Sequence, residues 1–137
     1  MELKEQKFGI EIEMTGITRA KAAEVTAGYF GTRVKYLGTY YDTYAAIDTE
    51  GRQWKFMSDS SITAQQKLNG RKISAGREYQ TEMVSPICRY EDIVTIQEII
   101  RKLKEYGALT NGSCGIHVHI NAEPFDARTL RNITNIM

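Results

Sequence analysis

The sequence predicts an α+β fold: a mostly antiparallel sheet with helices packed on one face. Three observations carry that expectation. "FGIEIEM" and "GIHVHIN" alternate apolar and polar residues, the period of strands whose two faces meet different surroundings. "TEG" separates two strand-like runs and marks a hairpin. "YEDIVTIQEIIRKLKEYGA" repeats isoleucine and leucine at helical spacing. The resulting order, β-α-β-β-β-α-β-α with a hairpin in the middle, places the helices together over one side of the sheet.

The elements follow in order. Residues 8–14 form the first strand, with Phe8, Ile10, Ile12 and Met14 facing the core and Glu11 and Glu13 facing away. Residues 18–30, rich in alanine, form a helix that Thr18 caps. "YYDTYAAID" (40–48) and "RQWKFMSD" (52–59) are the hairpin strands, and Gly51 supplies the positive φ of the turn. Residues 65–77, "QQKLNGRKISAGR", are polar, basic and punctuated by glycine, which reads as a loop. "YQTEMVSP" (79–86) is a short strand stopped by Pro86. Residues 90–108 form a helix with Ile93, Ile96, Ile99, Ile100 and Leu103 on one stripe. It closes at Gly107, with Lys102 and Lys104 favourable in its last turns. Residues 115–121 form the last strand, and "DARTLRNITNIM" (126–137) starts a helix with Asp126 as its cap. That helix reaches Met137 without a cap or polar tail, and its stripe of Leu130, Ile133 and Ile136 calls for a covering element. The chain therefore reads as part of a larger unit.

Length and composition set the bounds. At 137 residues, 42% hydrophobic, 26% charged and nominally +1, the chain is a single globular unit. A balance so close to neutral gives no reason to expect nucleic acid or an anionic membrane as partner. There is no apolar run long enough to span a bilayer and no signal-like start, so the chain is expected in the cytoplasm. Cys88 and Cys114 lack metal-ligand spacing and are expected as free thiols.

The chemistry concentrates on strands. Both histidines of the chain, His117 and His119, lie two residues apart and share a strand face with Gly115 and Asn121. Glu11 and Glu13 do the same on the first strand. Asp59 sits where a hairpin strand ends, and Glu82 lies inside an otherwise apolar short strand. An antiparallel sheet with one face in water produces such alternation with no ligand at all. Two imidazoles on one strand face are less ordinary, and imidazole is a common metal ligand. As one group, four carboxylates and two imidazoles suit Mg²⁺ or Mn²⁺ better than a structural Zn²⁺. Acids facing one another repel unless cations sit among them. No Walker loop, GxGxxG or HExxH is present.

"FGIEIEM", "DSS", "TEMVSPI", the amphipathic helix ending "YGA" and "NGSCGIHVHI", in this order, resemble the amidoligase family. That family belongs to the superfamily of glutamine synthetase and glutamate–cysteine ligase. The resemblance covers residues 8 to about 136 and implies a glutamine synthetase-like half-barrel of curved antiparallel strands. On that basis the chain is the N-terminal portion of one catalytic domain, 1–137, whose C-terminal half is missing, and this portion alone is expected to be inactive. The implied reaction is ATP-dependent carboxylate–amine ligation through an acyl phosphate, with Mg²⁺ or Mn²⁺ and with amino-acid or peptide carboxylates and amines as substrates. The resemblance makes Glu11 and Glu13 a metal-binding pair, and Asp59 and Glu82 further metal ligands. It makes His117 a metal and phosphate ligand, and turns His119 toward the nucleotide. Glu13, Glu82 and His117 would carry the catalysis. Glu11, His117 and His119 would hold the ATP and its second metal ion. Lys55 and Arg77 are candidate positive charges, though solvated positions suit each. Self-association stays open. Two other readings stay open as well: a metal- or nucleotide-binding domain without ligase activity, and a metal-dependent hydrolase.

Overall fold

A computed structural model describes residues 6–120. Its elements are β1 (Phe8–Met14), α1 (Arg19–Phe30), β2 (Val34–Gly38), β3 (Thr43–Ile47), β4 (Gln53–Met57), β5 (Gln65–Leu68), β6 (Arg71–Ser74), β7 (Thr81–Val84), α2 (Asp92–Glu105) and β8 (Ile116–Ile120), with a 3₁₀ turn at Arg77–Tyr79. Six strands form one sheet in the order β2-β3-β4-β7-β1-β8, and every pairing in it is antiparallel. Among the described residues the sheet is open, with β2 and β8 at its edges. The fold is thus α+β with a mostly antiparallel sheet, and two α-helices among the described residues.

The core forms on one face of that sheet. Phe8, Ile10, Ile12 and Met14 of β1 point into it, with Trp54 and Phe56 of β4 and Met83 of β7. Thr18 caps α1 by accepting the Lys21 N–H at its hydroxyl, and Gly31 closes the helix at φ 72. Ala22, Ala23 and Ala27 are buried, and their small side chains bring α1 close to β3 and β4. From α2, Ile96, Ile99 and Leu103 are buried, each contributing about 2 kcal/mol of apolar burial. Behind α2, Gly107 at φ 110 lies against Gly16, where a side chain would come within 2.3 Å of the Gly107 carbonyl. That close approach lets Thr15 bridge to Leu109 and fixes the end of β1.

Three expectations change. Residues 65–77 are not a loop, because Asn69 and Gly70, at φ 51 and 79, form a two-residue turn between the paired strands β5 and β6. The polarity of that stretch concealed its strands, since neither face is a core face. The first hairpin strand begins only at Thr43; Tyr40 to Asp42 belong to a turn, and β2 pairs with β3 ahead of it. The last strand does not show the clean two-faced burial expected of it. Ile116 is exposed, and Val118 and Ile120 are only half-buried, as befits an edge strand. Asn121 and the expected helix at 126–137 lie outside the described residues.

Candidate functional site

Cross-strand register places the polar residues of three adjacent strands on one face. Glu13 pairs with Glu82 across β1 and β7, Glu11 pairs with His117 across β1 and β8, and Gly9 pairs with His119. Directly opposed residues of an antiparallel pair point to the same side. Glu11, Glu13, Glu82, His117 and His119 therefore share the face opposite the helices. Asp59 joins them from the loop that leaves β4, whose last residue Met57 pairs with Glu82.

Within this group Glu13, Asp59 and Glu82 converge: each offers a carboxylate oxygen, and the three oxygens lie within 4.8 Å of one another. Local structure aims them. Asp59 accepts the Ser61 N–H at 2.9 Å and the Ser61 hydroxyl at 2.7 Å, a turn that aspartate makes with its own chain. Glu13 accepts the Gly115 N–H at 2.7 Å. Glu13 is 7% exposed. Among the described residues, none of the three acids has an ion-pair partner.

The electrostatics follow from that arrangement. Burial, then the charges of Glu11, Asp59 and Glu13, push the Glu82 carboxyl up to about 7. Burial and a hydrogen bond to Asp59 raise Glu13, against the pull of the Gly115 N–H. Asp59 moves the other way, held low first by the Glu13 hydrogen bond and then by Ser61.

The remaining candidates stand around this triplet. Glu11 and His119 are bonded at 3.0 Å on the solvent side. His117 is exposed beside Glu11, its cross-strand partner. Neither Glu11 nor His117 belongs to the converging group. Lys55 pairs with Val84, one strand from Glu11. Arg77 is exposed and lines a cavity of about 920 Å³ that also borders Asp59 and Glu82. Gly115 matters through its backbone, since a Cβ there would meet Glu13 Oε1 at an ordinary 3.4 Å.

Three contributors escaped the sequence reading. Ser61 orients Asp59, and the "DSS" spacing of acid and serine is the signal that points to it. Asn111 donates to the Thr63 carbonyl at 2.9 Å, and Ser113 accepts the Thr63 N–H at 2.8 Å. These bonds tie the Asp59 loop to the segment before β8, and nothing in the separate stretches announces them.

A model of the family described as "Putative amidoligase enzyme" matches residues 4–137, a span that includes every acid and histidine of this face. The chain belongs to the amidoligase family. No curated protein and no solved structure matches it. The family description implies a ligase, and in this amidoligase the converging acids offer a place where a metal ion could bind. No helix among its described residues is long and apolar enough to cross a membrane.

Proposed function

We propose that this chain is an ATP-dependent carboxylate–amine ligase that uses Mg²⁺ or Mn²⁺ and acts through an acyl phosphate on an amino-acid or peptide substrate. The observation that carries the reading is the Glu13–Asp59–Glu82 triplet, three converging carboxylates with no ion-pair partner among the described residues. Such a cluster fits a divalent ion by its donor chemistry. Its oxygens are hard ligands, and burial first, then neighbouring carboxylates, raise Glu13 and Glu82, which a bound cation would offset. The open antiparallel sheet is in keeping with part of a glutamine synthetase-like half-barrel.

Glu13, Asp59 and Glu82 would hold one ion. Glu11 and His117 would hold a second, and His119 would face the nucleotide. Bound Mg²⁺ would neutralise the charge that spreads over the phosphate oxygens during transfer. The chain's own residues orient the donors: Ser61 fixes Asp59, and the Gly115 N–H fixes Glu13. In the reaction the substrate carboxylate attacks the γ-phosphorus and ADP leaves. The amine nitrogen then attacks the acyl carbon, and phosphate departs as the amide forms. The amine proton passes to a carboxylate or to water.

An ADP-release assay with Mg²⁺, pooled amino acids and short peptides tests the reading, with mass spectrometry for the amide. ADP release that depends on the amine supports the ligase. ADP release without an amine requirement would make the protein a hydrolase. No effect of Mg²⁺ on nucleotide binding would leave a structural domain.

A further inference from the structure

The cavity of about 920 Å³ beside Asp59 and Glu82 has a second wall that the metal chemistry does not use: Arg19, Tyr40, Tyr41 and Arg77. Its volume sits at the upper end of the range for small-ligand pockets, ample for a short peptide.

The two arginines differ. Arg19 is buried and fully engaged. It gives Nε and Nη2 to Asp42 Oδ2 at 3.2 and 3.0 Å, and Nη1 to the carbonyls of Arg77 and Gln80 at 2.9 and 2.6 Å. It is a strut. Arg77 is exposed and has no ion-pair partner among the described residues, while Arg19 holds its backbone. A guanidinium with a fixed root and open donors suits bidentate capture of a carboxylate.

The tyrosines come from a turn under backbone strain. Thr39 and Asp42 adopt φ 62 and 50, a left-handed region that residues other than glycine hold only when their surroundings impose it. Here the surroundings do. Arg19 and the Tyr36 hydroxyl grip Asp42, the Tyr41 N–H donates to the Thr39 hydroxyl at 3.2 Å, and the Ser58 N–H donates to the Tyr41 carbonyl at 2.9 Å. What this rigid turn displays is Tyr40, 94% exposed, and Tyr41, 49% exposed, at the cavity wall. Neither belongs to the core. Exposed aromatic rings on a pinned, strained turn have the build of a recognition surface. Tyrosine rings pack on planar peptide groups, and their hydroxyls bond amides.

We propose that this cavity is a cleft for a short peptide that carries a second carboxylate, with Tyr40 and Tyr41 along the peptide chain and Arg77 on that carboxylate. Placing the reacting carboxylate at the acid triplet rests on the ligase reading; the cleft itself does not.

Calorimetry in Mg²⁺ without ATP tests it, with three probes: alanyl-alanyl-glutamate, alanyl-alanyl-glutamine and free glutamate. The first should bind at least about tenfold tighter than the other two, the scale of one charge-assisted hydrogen-bonded contact. Arg77→Ala should erase the advantage over the glutamine peptide, and Arg77→Lys should restore part of it. Tyr41→Ala should weaken both peptides and leave glutamate unchanged. Both side chains are exposed, so unchanged melting should accompany each variant. Equal binding of glutamate and the acidic peptide, no binding of any probe, or indifference to Arg77→Ala would overturn the cleft. Mn²⁺ binding at the triplet, measured in parallel by electron paramagnetic resonance, separates the two readings. Peptide selection through Arg77 and Tyr41 without Mn²⁺ binding removes the ligase and keeps the cleft. Mn²⁺ binding without Arg77 dependence does the reverse.

Discussion

Two acidic clusters in this molecule are solved in opposite ways. Around Arg52, the carboxylates of Asp48 and Asp92 meet a guanidinium at 2.8 and 3.0 Å, and the Trp54 indole N–H and two backbone N–H groups complete Asp48. Burial alone would raise both acids, but these donors pull them below the ordinary range. Among the described residues Glu13, Asp59 and Glu82 have no ion-pair partner, and two of the three carboxyls are pushed up instead. The first cluster holds β3, β4 and the start of α2 together. The second brings three carboxylates together without pairing them to a guanidinium or ammonium among the described residues, which is what a site for a foreign cation requires. Counting acids does not distinguish them; asking what neutralises each acid does.

The largest expected effect lies in the first cluster. Asp48→Ala removes the acceptor of the Arg52 Nε and Trp54 Nε1 donors and of two backbone N–H groups, while Asp92 keeps the guanidinium paired, and should cost about 2–3 kcal/mol in urea unfolding. Glu82→Gln should do the opposite, stabilising the metal-free protein by about 1–2 kcal/mol at pH 8, because it removes a charge that burial and three neighbouring carboxylates disfavour. A destabilising Glu82→Gln would mean that the triplet is a satisfied network like the other.

Titration sharpens the same contrast. Glu82 has a folded pKa near 7, above its unfolded value, so the folded state binds more protons between about 4.5 and 7 and loses stability as pH rises through that window. Asp48 and Asp92 are depressed, so their contribution is present above about pH 4 and is lost as pH falls through their folded values. In chelator, unfolding free energy should peak between these limbs. Ten Kd of Mg²⁺ should add about 1.4 kcal/mol at pH 8, flattening the alkaline limb, and Glu82→Gln should abolish that gain. The smallest effect belongs to the exposed Glu11–His119 pair. There His119→Ala should change stability by no more than about 0.5 kcal/mol, measured by thermal melts.

What could be read from the sequence divides along similar lines. The face of β1, the Thr18 cap and the stripe of α2 were legible because each depends on residues a few positions apart. The acids and histidines were legible as chemical types, and the shared phase of the two strands with the family resemblance put them in one group. The cross-strand partners were not legible, because they depend on register: β1 lies between β7 and β8, so Glu13 meets Glu82 while Glu11 meets His117. The Asp48–Arg52–Asp92 cluster passed unnoticed for the same reason, since Asp92 reaches Arg52 only once α2 has docked. The β5–β6 hairpin was missed because its strands are polar on both faces and only Asn69–Gly70 announces them.

That hairpin leaves and rejoins the chain between Asp59 and Glu82, and the Ala75 N–H donates to the Ala64 carbonyl at 3.1 Å across its base. With the base closed, length added at the tip costs only the slowly growing entropy of a longer loop. The turn at Asn69–Gly70 is therefore a splice point. A fluorophore or an entire guest domain inserted there would be carried on a two-stranded stem, while the spacing of the acids beneath it is maintained by the stem's own pairing.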